Sequence, residues 1–205
     1  MKAPPPPPLV LVHGIYDDGQ IFQPMMRYFE GRRIHCVAPS LEPSSGRLGL
    51  ADLAAKLQAS IDRQLGAERP IDLVGFSMGA VVSRYYLQAL EGRQRTRKFF
   101  SIAAPYRGSQ WARLVRGQGA RELRPGSEFL ARLDAGGHLL AGLTLHSYWT
   151  PLDLMIVPPT SSVWKLAENH RIWSPCHPCM LRNRWLMWHI FRVIRETGAP
   201  EVINP

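Results

Sequence analysis

Short apolar runs alternate along the chain with longer stretches whose apolar residues recur at helical spacing. The run "LVLVHG" (9–14) is apolar almost throughout, the pattern of a strand buried on both faces. "IFQPMMRYFE" (21–30) predicts a helix and "RIHCVAP" (33–39) a second strand. Leu50, Leu53, Ala54, Leu57, Ile61 and Leu65 follow at three- and four-residue steps, which places them on one helical face. "IDLVGF" (71–76) predicts a third strand, and residues 78–91 a helix ended by Gly92. "KFFSIAAP" (98–105), "LTLHSYW" (143–149) and "HRIWS" (170–174) predict three more strands. A last helix spans about 183–196, with Leu186, Ile190 and Val193 on its inner stripe. This alternation predicts an α/β domain, with about six strands in a mostly parallel sheet and helices on both faces.

Residues 106–142 break the alternation. The segment is rich in glycine and arginine, and Ser127 in "RPGSEFLARL" is placed to cap a short helix. A connection of this length is a lid or a binding loop, so 106–142 is expected to cap a substrate cleft. Residues 1–8, with prolines at 4 to 8, read as a stiff polyproline leader, and residues 9–205 as one domain without internal repeats.

Composition narrows the choice of partners. The 25 Lys+Arg against 16 Asp+Glu give a net charge of +9, carried almost wholly by arginine. That favours anionic substrates, or peripheral contact with an anionic membrane surface. The arginines do not alternate with aromatics as a base-stacking platform would, so no nucleic-acid partner is expected. The apolar run before His13 has four residues, against the roughly 7–15 of a secretory signal and roughly 20 of a membrane span, and the expected location is cytoplasmic. Three cysteines without framework spacing argue against a disulfide scaffold, although a Cys176–Cys179 bond under oxidising stress would distort the histidine between them.

The candidate chemistry centres on "IDLVGFSMGA" (71–80), where Ser77 stands between Gly75 and Gly79. Small residues are common in turns, so the pentapeptide alone is a modest signal. Its context is sharper, because a strand precedes the serine and a helix follows it. A serine at such a turn projects above the sheet, and the helix N-terminus points at negative charge developing there. The loop after the first strand, "HGI" (13–15), is expected beside it. The backbone N–H groups of Ile15 and Met78 are then candidate oxyanion donors, and His13 is expected to shape the loop rather than move protons.

"VLVHGI", "GFSMGA", "APYRGS" and "PLDLMIVPP" together resemble the α/β-hydrolase fold in its small lipase/esterase branch. The resemblance is greatest to minimal lipases of the Bacillus lipase A type and covers roughly residues 8–196. It implies a triad in the order Ser77, Asp153, His177, with Ile15 and Met78 as oxyanion donors. The histidine stands in "SPCHPCML" where the family pattern is "GxGH", and Ala80 replaces a frequent glycine. The implied reaction is hydrolysis of a small-molecule ester or lipid through an acyl-enzyme, with no metal or organic cofactor. Acyl transfer at the same site, thioester or amide cleavage, and a non-catalytic binding protein on the same scaffold remain alternatives, and the oligomeric state is open.

The other histidines compete poorly for the role of base. His35 lies in a strand pattern and His189 in the last helix; His138 and His146 precede Asp153; His170 begins a strand rather than following one. Asp72 lies early in the serine's own strand and points away from its tip, whereas Asp17 and Asp18 are placed to cap the first helix. "CHPC" (176–179) also admits a metal or redox reading, but a structural zinc needs two such pairs.

Overall fold

A computed structural model describes residues 6–196, so residues 1–5 of the expected leader lie outside the described residues. In chain order the elements are β1 (Leu9–Val12), α1 (Gln23–Glu30), β2 (Cys36–Val37), α2 (Leu50–Leu65), β3 (Ile71–Phe76) and α3 (Met78–Ala89). They continue with β4 (Thr96–Ile102), α4 (Gln118–Glu122), α5 (Glu128–Ala135), β5 (Thr144–Trp149), β6 (Glu168–Arg171) and α6 (Arg184–Arg195). The six strands form one sheet in the order β2-β1-β3-β4-β5-β6, and every neighbouring pair is parallel.

Strand alternation divides the core into two layers. Val10, Val12, Ile71 and Leu73 face the helices α2, α3 and α5, while Leu9, Leu11, Val74 and Phe76 face α1 and α6. Because both faces are covered, the inner strands are apolar throughout. The chain turns from β2 on one side of β1 to β3 on the other. A sheet that changes direction in this way opens a crevice at the carboxyl ends of those two strands.

Several element limits depart from the sequence pattern. The second strand shortens to two residues because Arg33 takes φ 61° and Ile34 N–H donates back to the Phe29 carbonyl, closing the turn after α1. His35 therefore lies ahead of the strand rather than inside it. The sixth strand begins two residues early, at Glu168, and its exposed "ENHR" carries none of the apolar signal of an inner strand. The helix after Ser77 stops at Ala89, with Glu91 rather than Gly92 in the left-handed conformation. Ser127 caps α5 as expected, its Oγ accepting from Leu130 N–H at 3.3 Å. At the far end of the chain, buried Lys98 donates to the carbonyls of Val193 and Glu196, satisfying the C-terminus of α6. Among the described residues no helix is long and apolar enough to cross a membrane.

Candidate active site

The chain leaves β3 through a strained serine. Ser77 has φ 53° and ψ −125°, a backbone conformation costly for any residue with a Cβ. Hydrogen bonds hold it there: Ser77 N–H donates to the Ile102 carbonyl at 2.8 Å, and Ala80 N–H to the Ser77 carbonyl at 3.0 Å. The flanking glycines are required by close approach. A Cβ on Gly75 would lie 2.4 Å from Ala80 Cα, and one on Gly79 would lie 2.2 Å from the Val12 carbonyl oxygen. The small residues let α3 start directly against β1 and β3.

The loop after β1 meets this turn. A Cβ on Gly14 would stand 3.1 Å from Ser77 Cβ. Buried His13 accepts the Leu41 N–H at Nε2 (2.8 Å), so its proton sits on Nδ1, which donates to the Gly14 carbonyl (2.9 Å). That is the loop-shaping role expected of it. Ile15 and Met78 line the same small cavity as Ser77, and neither N–H has a backbone acceptor among the described residues.

Asp153 and His177 come from the loops after β5 and β6. Asp153 is buried; its Oδ1 accepts from the N–H groups of Met155 and Ile156, both at 2.9 Å. Its Oδ2 accepts from His177 Nδ1 at 2.7 Å. With the proton fixed on Nδ1, the lone pair of Nε2 is free, and this buried nitrogen has no hydrogen-bond partner. The His177 ring packs on Phe76, the residue before Ser77, with ring centroids 4.7 Å apart. Ser77 Oγ and His177 Nε2 are not hydrogen-bonded to each other in this state. Neither Asp17 nor Asp18 caps α1, whose N-cap is Phe22; Asp18 instead caps the short turn Gly19–Phe22, accepting from Gln20 N–H at 2.7 Å. Burial raises the Asp17 carboxyl pKa, with the nearby His13 and His177 pulling it back down. Nothing in the sequence distinguishes these adjacent aspartates.

Cys176 and Cys179 form a disulfide around the histidine, with Cα atoms 5.1 Å apart. The bond and the Asp153–His177 contact coexist. Because both sulfurs are bonded to each other, the metal reading of "CHPC" does not hold in this state. Cys36 is the free cysteine, and it is buried. The remaining histidines divide into two groups. His35 and His138 lie at the surface, whereas His146, His170 and His189 converge at the β5–β6–α6 corner. Burial pushes His146 down to about 4, with the charges of His170, His189 and Lys98 adding to it.

The cavity beside Ser77 is apolar, lined by Ile15, Met78, Trp111, Val115, Leu123 and Ile156 among others. Its free volume is about 20 Å³, little more than one water molecule occupies. Half of its twelve lining residues come from the 106–142 segment.

Comparison with known proteins agrees with the fold. A mature lipase of Bacillus licheniformis, BlEst2, superposes with a TM-score of 0.77 at 17% identity, covering 95% of this chain and 94% of the other. Lipase B of Aspergillus fumigatus gives 0.77 at 16% identity over 95% of this chain, which spans only 54% of that lipase. A haloalkane dehalogenase of Agrobacterium tumefaciens gives 0.72 at 11% identity, covering 95% and 91%. Identities this low carry the fold and not the chemistry. No curated protein matches by sequence. The sequence profile of the alpha/beta hydrolase family, however, spans residues 9–194, and the chain belongs to that family.

Proposed function

We propose that this protein is a serine ester hydrolase of the lipase/esterase kind, working through an acyl-enzyme. The observation that carries the reading is the Asp153–His177 pair, whose buried Nε2 is free and whose ring packs on Phe76, the residue before the strained serine. In this reading Ser77 Oγ attacks the ester carbonyl while His177 Nε2 takes its proton. Asp153 holds the imidazole and balances the charge it acquires. The N–H groups of Ile15 and Met78 receive the oxyanion, each donor worth roughly 3 kcal/mol of barrier. His177 then returns the proton to the departing alcohol, and a water activated by the same nitrogen releases the acid. The Ser77–His177 hydrogen bond forms as substrate closes the site, a tightening common in such pairs.

The cavity supports an apolar acyl group as the part recognised. It is small, so short acyl chains are the favoured substrates unless the 106–142 segment, which we read as a partial cap, moves. Labelling with a fluorophosphonate tests the assignment directly. Ser77 should be the modified residue, and Ser77→Ala should lower kcat for an activated ester on the order of 10⁴- to 10⁶-fold with the fold unchanged. An unlabelled Ser77, or a variant that keeps most of its activity, would reject the nucleophile and favour the non-catalytic alternative. Product analysis with added alcohols separates hydrolysis from acyl transfer.

A further inference from the structure

Three histidines remote in sequence meet away from the serine. His146 and Tyr148 share one face of β5, opposite Glu168 and His170 of β6, in the register His146 with Glu168 and Tyr148 with His170. His189 of α6 closes over that face. Its Nδ1 lies 2.8 Å from the Tyr148 hydroxyl, and its ring stacks on Trp185 with centroids 5.0 Å apart. One ring nitrogen from each of the three histidines lies within 4.8 Å of those of the other two. We propose that His146, His170, His189 and Glu168 form a site for a divalent zinc-class cation that clips β5, β6 and α6 together.

The three imidazoles form the cluster, and the Glu168 carboxylate approaches two of them through different oxygens. Nitrogen and oxygen ligands about 2.0–2.1 Å from a tetrahedral zinc stand roughly 3.3–3.5 Å from one another. Glu168 Oε2 lies 3.5 Å from His146 Nδ1, and its Oε1 lies 3.6 Å from His170 Nε2. His146 Nδ1 and His170 Nε2 are 2.9 Å apart, sharing a single proton. The ion takes the place of that proton, which leaves to solvent, and the two nitrogens separate by roughly half an ångström to reach ligand spacing.

The surroundings also suit a metal. Tyr148 engages Nδ1 of His189, leaving Nε2 to ligate, and such a polar contact on the far ring nitrogen is the usual support of a metal-bound imidazole. Phe100 stacks on His146, with centroids 5.6 Å apart and planes 13° from parallel, so that ring is already oriented. Three imidazoles and one carboxylate match zinc and its late first-row neighbours rather than calcium or magnesium. The consequence is structural. β6 is an edge strand with one neighbour, yet it leads into the loop carrying His177, as β5 leads into the loop carrying Asp153. An ion at this corner braces both.

The test uses the full chain, freed of metal by chelation and left unreduced. It is titrated with zinc alone, followed by calorimetry and thermal unfolding, and with cobalt(II), followed by visible absorption. One ion per chain, a raised Tm and cobalt bands of tetrahedral intensity are expected. Tyr148→Phe should weaken binding about 10- to 100-fold. Glu168→Gln and His189→Gln should each weaken it at least as much. Glu168 is exposed, so its variant tests ligation without disturbing the core. Absence of uptake by the wild type, or uptake unchanged in both ligand variants, would overturn the site. A thiolate-to-cobalt band would also overturn it by placing the ion on a cysteine.

Discussion

A Cβ at Gly79 would stand 2.2 Å from one backbone carbonyl oxygen and 2.3 Å from the next, those of Val12 and His13. Neither can move without shifting β1 and the loop that carries Ile15. Gly79→Ala is therefore expected to destabilise the fold by about 3 kcal/mol or more, at the upper end of overpacking costs. Urea unfolding measures it, and a change under about 0.5 kcal/mol, ordinary for a neutral site, would contradict the close approach. Cys36 makes a second prediction at this scale. Burial pushes its thiol up to about 12, with the charge of Glu30 adding to the effect. A buried thiol with so little thiolate is inert. In unreduced protein a disulfide-exchange thiol reagent should find no reactive cysteine at neutral pH in the native state and one after denaturation. Prompt native labelling would show Cys36 to be accessible.

Helices α4 and α5 lie in the segment that breaks the strand–helix alternation, where only α5 is announced, by its Ser127 cap. The segment is fastened at its end: buried Arg84 of α3 donates to the Leu133 carbonyl at 2.7 Å and pairs with Asp134 at 2.8 Å. Nearer its start, Val115 and Leu123 form part of the cavity wall. Replacing both with alanine should enlarge the cavity and raise kcat/KM for longer acyl esters over short ones by roughly tenfold, the usual worth of a methylene or two in an apolar pocket. Activity measured across a series of chain lengths checks this, and an unchanged preference would show that the acyl group binds elsewhere. Edge strand β6 is hard to read for the opposite reason. It is half-solvated, so polar side chains are tolerated there and the apolar signal fades.

Across the whole molecule the candidate site lies at the carboxyl ends of the strands, while a charged pair occupies the other end. Asp72, at the start of β3, is buried and held by Arg97 through two contacts of 2.7 and 3.2 Å. Burial raises its pKa above the usual 3.8 despite Arg97 and Lys98. The folded chain thus binds this proton more tightly than the unfolded chain. The resulting stability appears as pH falls through the raised value, is complete below 3.8, and is lost again as pH rises. Relative to Asp72→Asn, the wild type should gain stability between neutral pH and about 4, measured as Tm of both proteins across that range. A difference that shrinks on acidification would reverse the sign. As for what the chain announces by itself, the inner strands, α2, α3 and α6 were legible because burial on one or two faces imposes a periodicity that residues record locally. The Ser77 turn was legible for a similar reason: close packing against β1 demands glycine at 75 and 79, and glycine shows in sequence. Asp153 and His177 emerged from resemblance rather than from periodicity, since a loop carries no repeating pattern. The tertiary structure alone separated Asp17 from Asp18, closed Cys176 onto Cys179 around the histidine and drew His146, His170 and His189 to one corner. These are contacts between residues far apart or indistinguishable in sequence. Their energies depend on distance and burial in three dimensions, which no local pattern encodes.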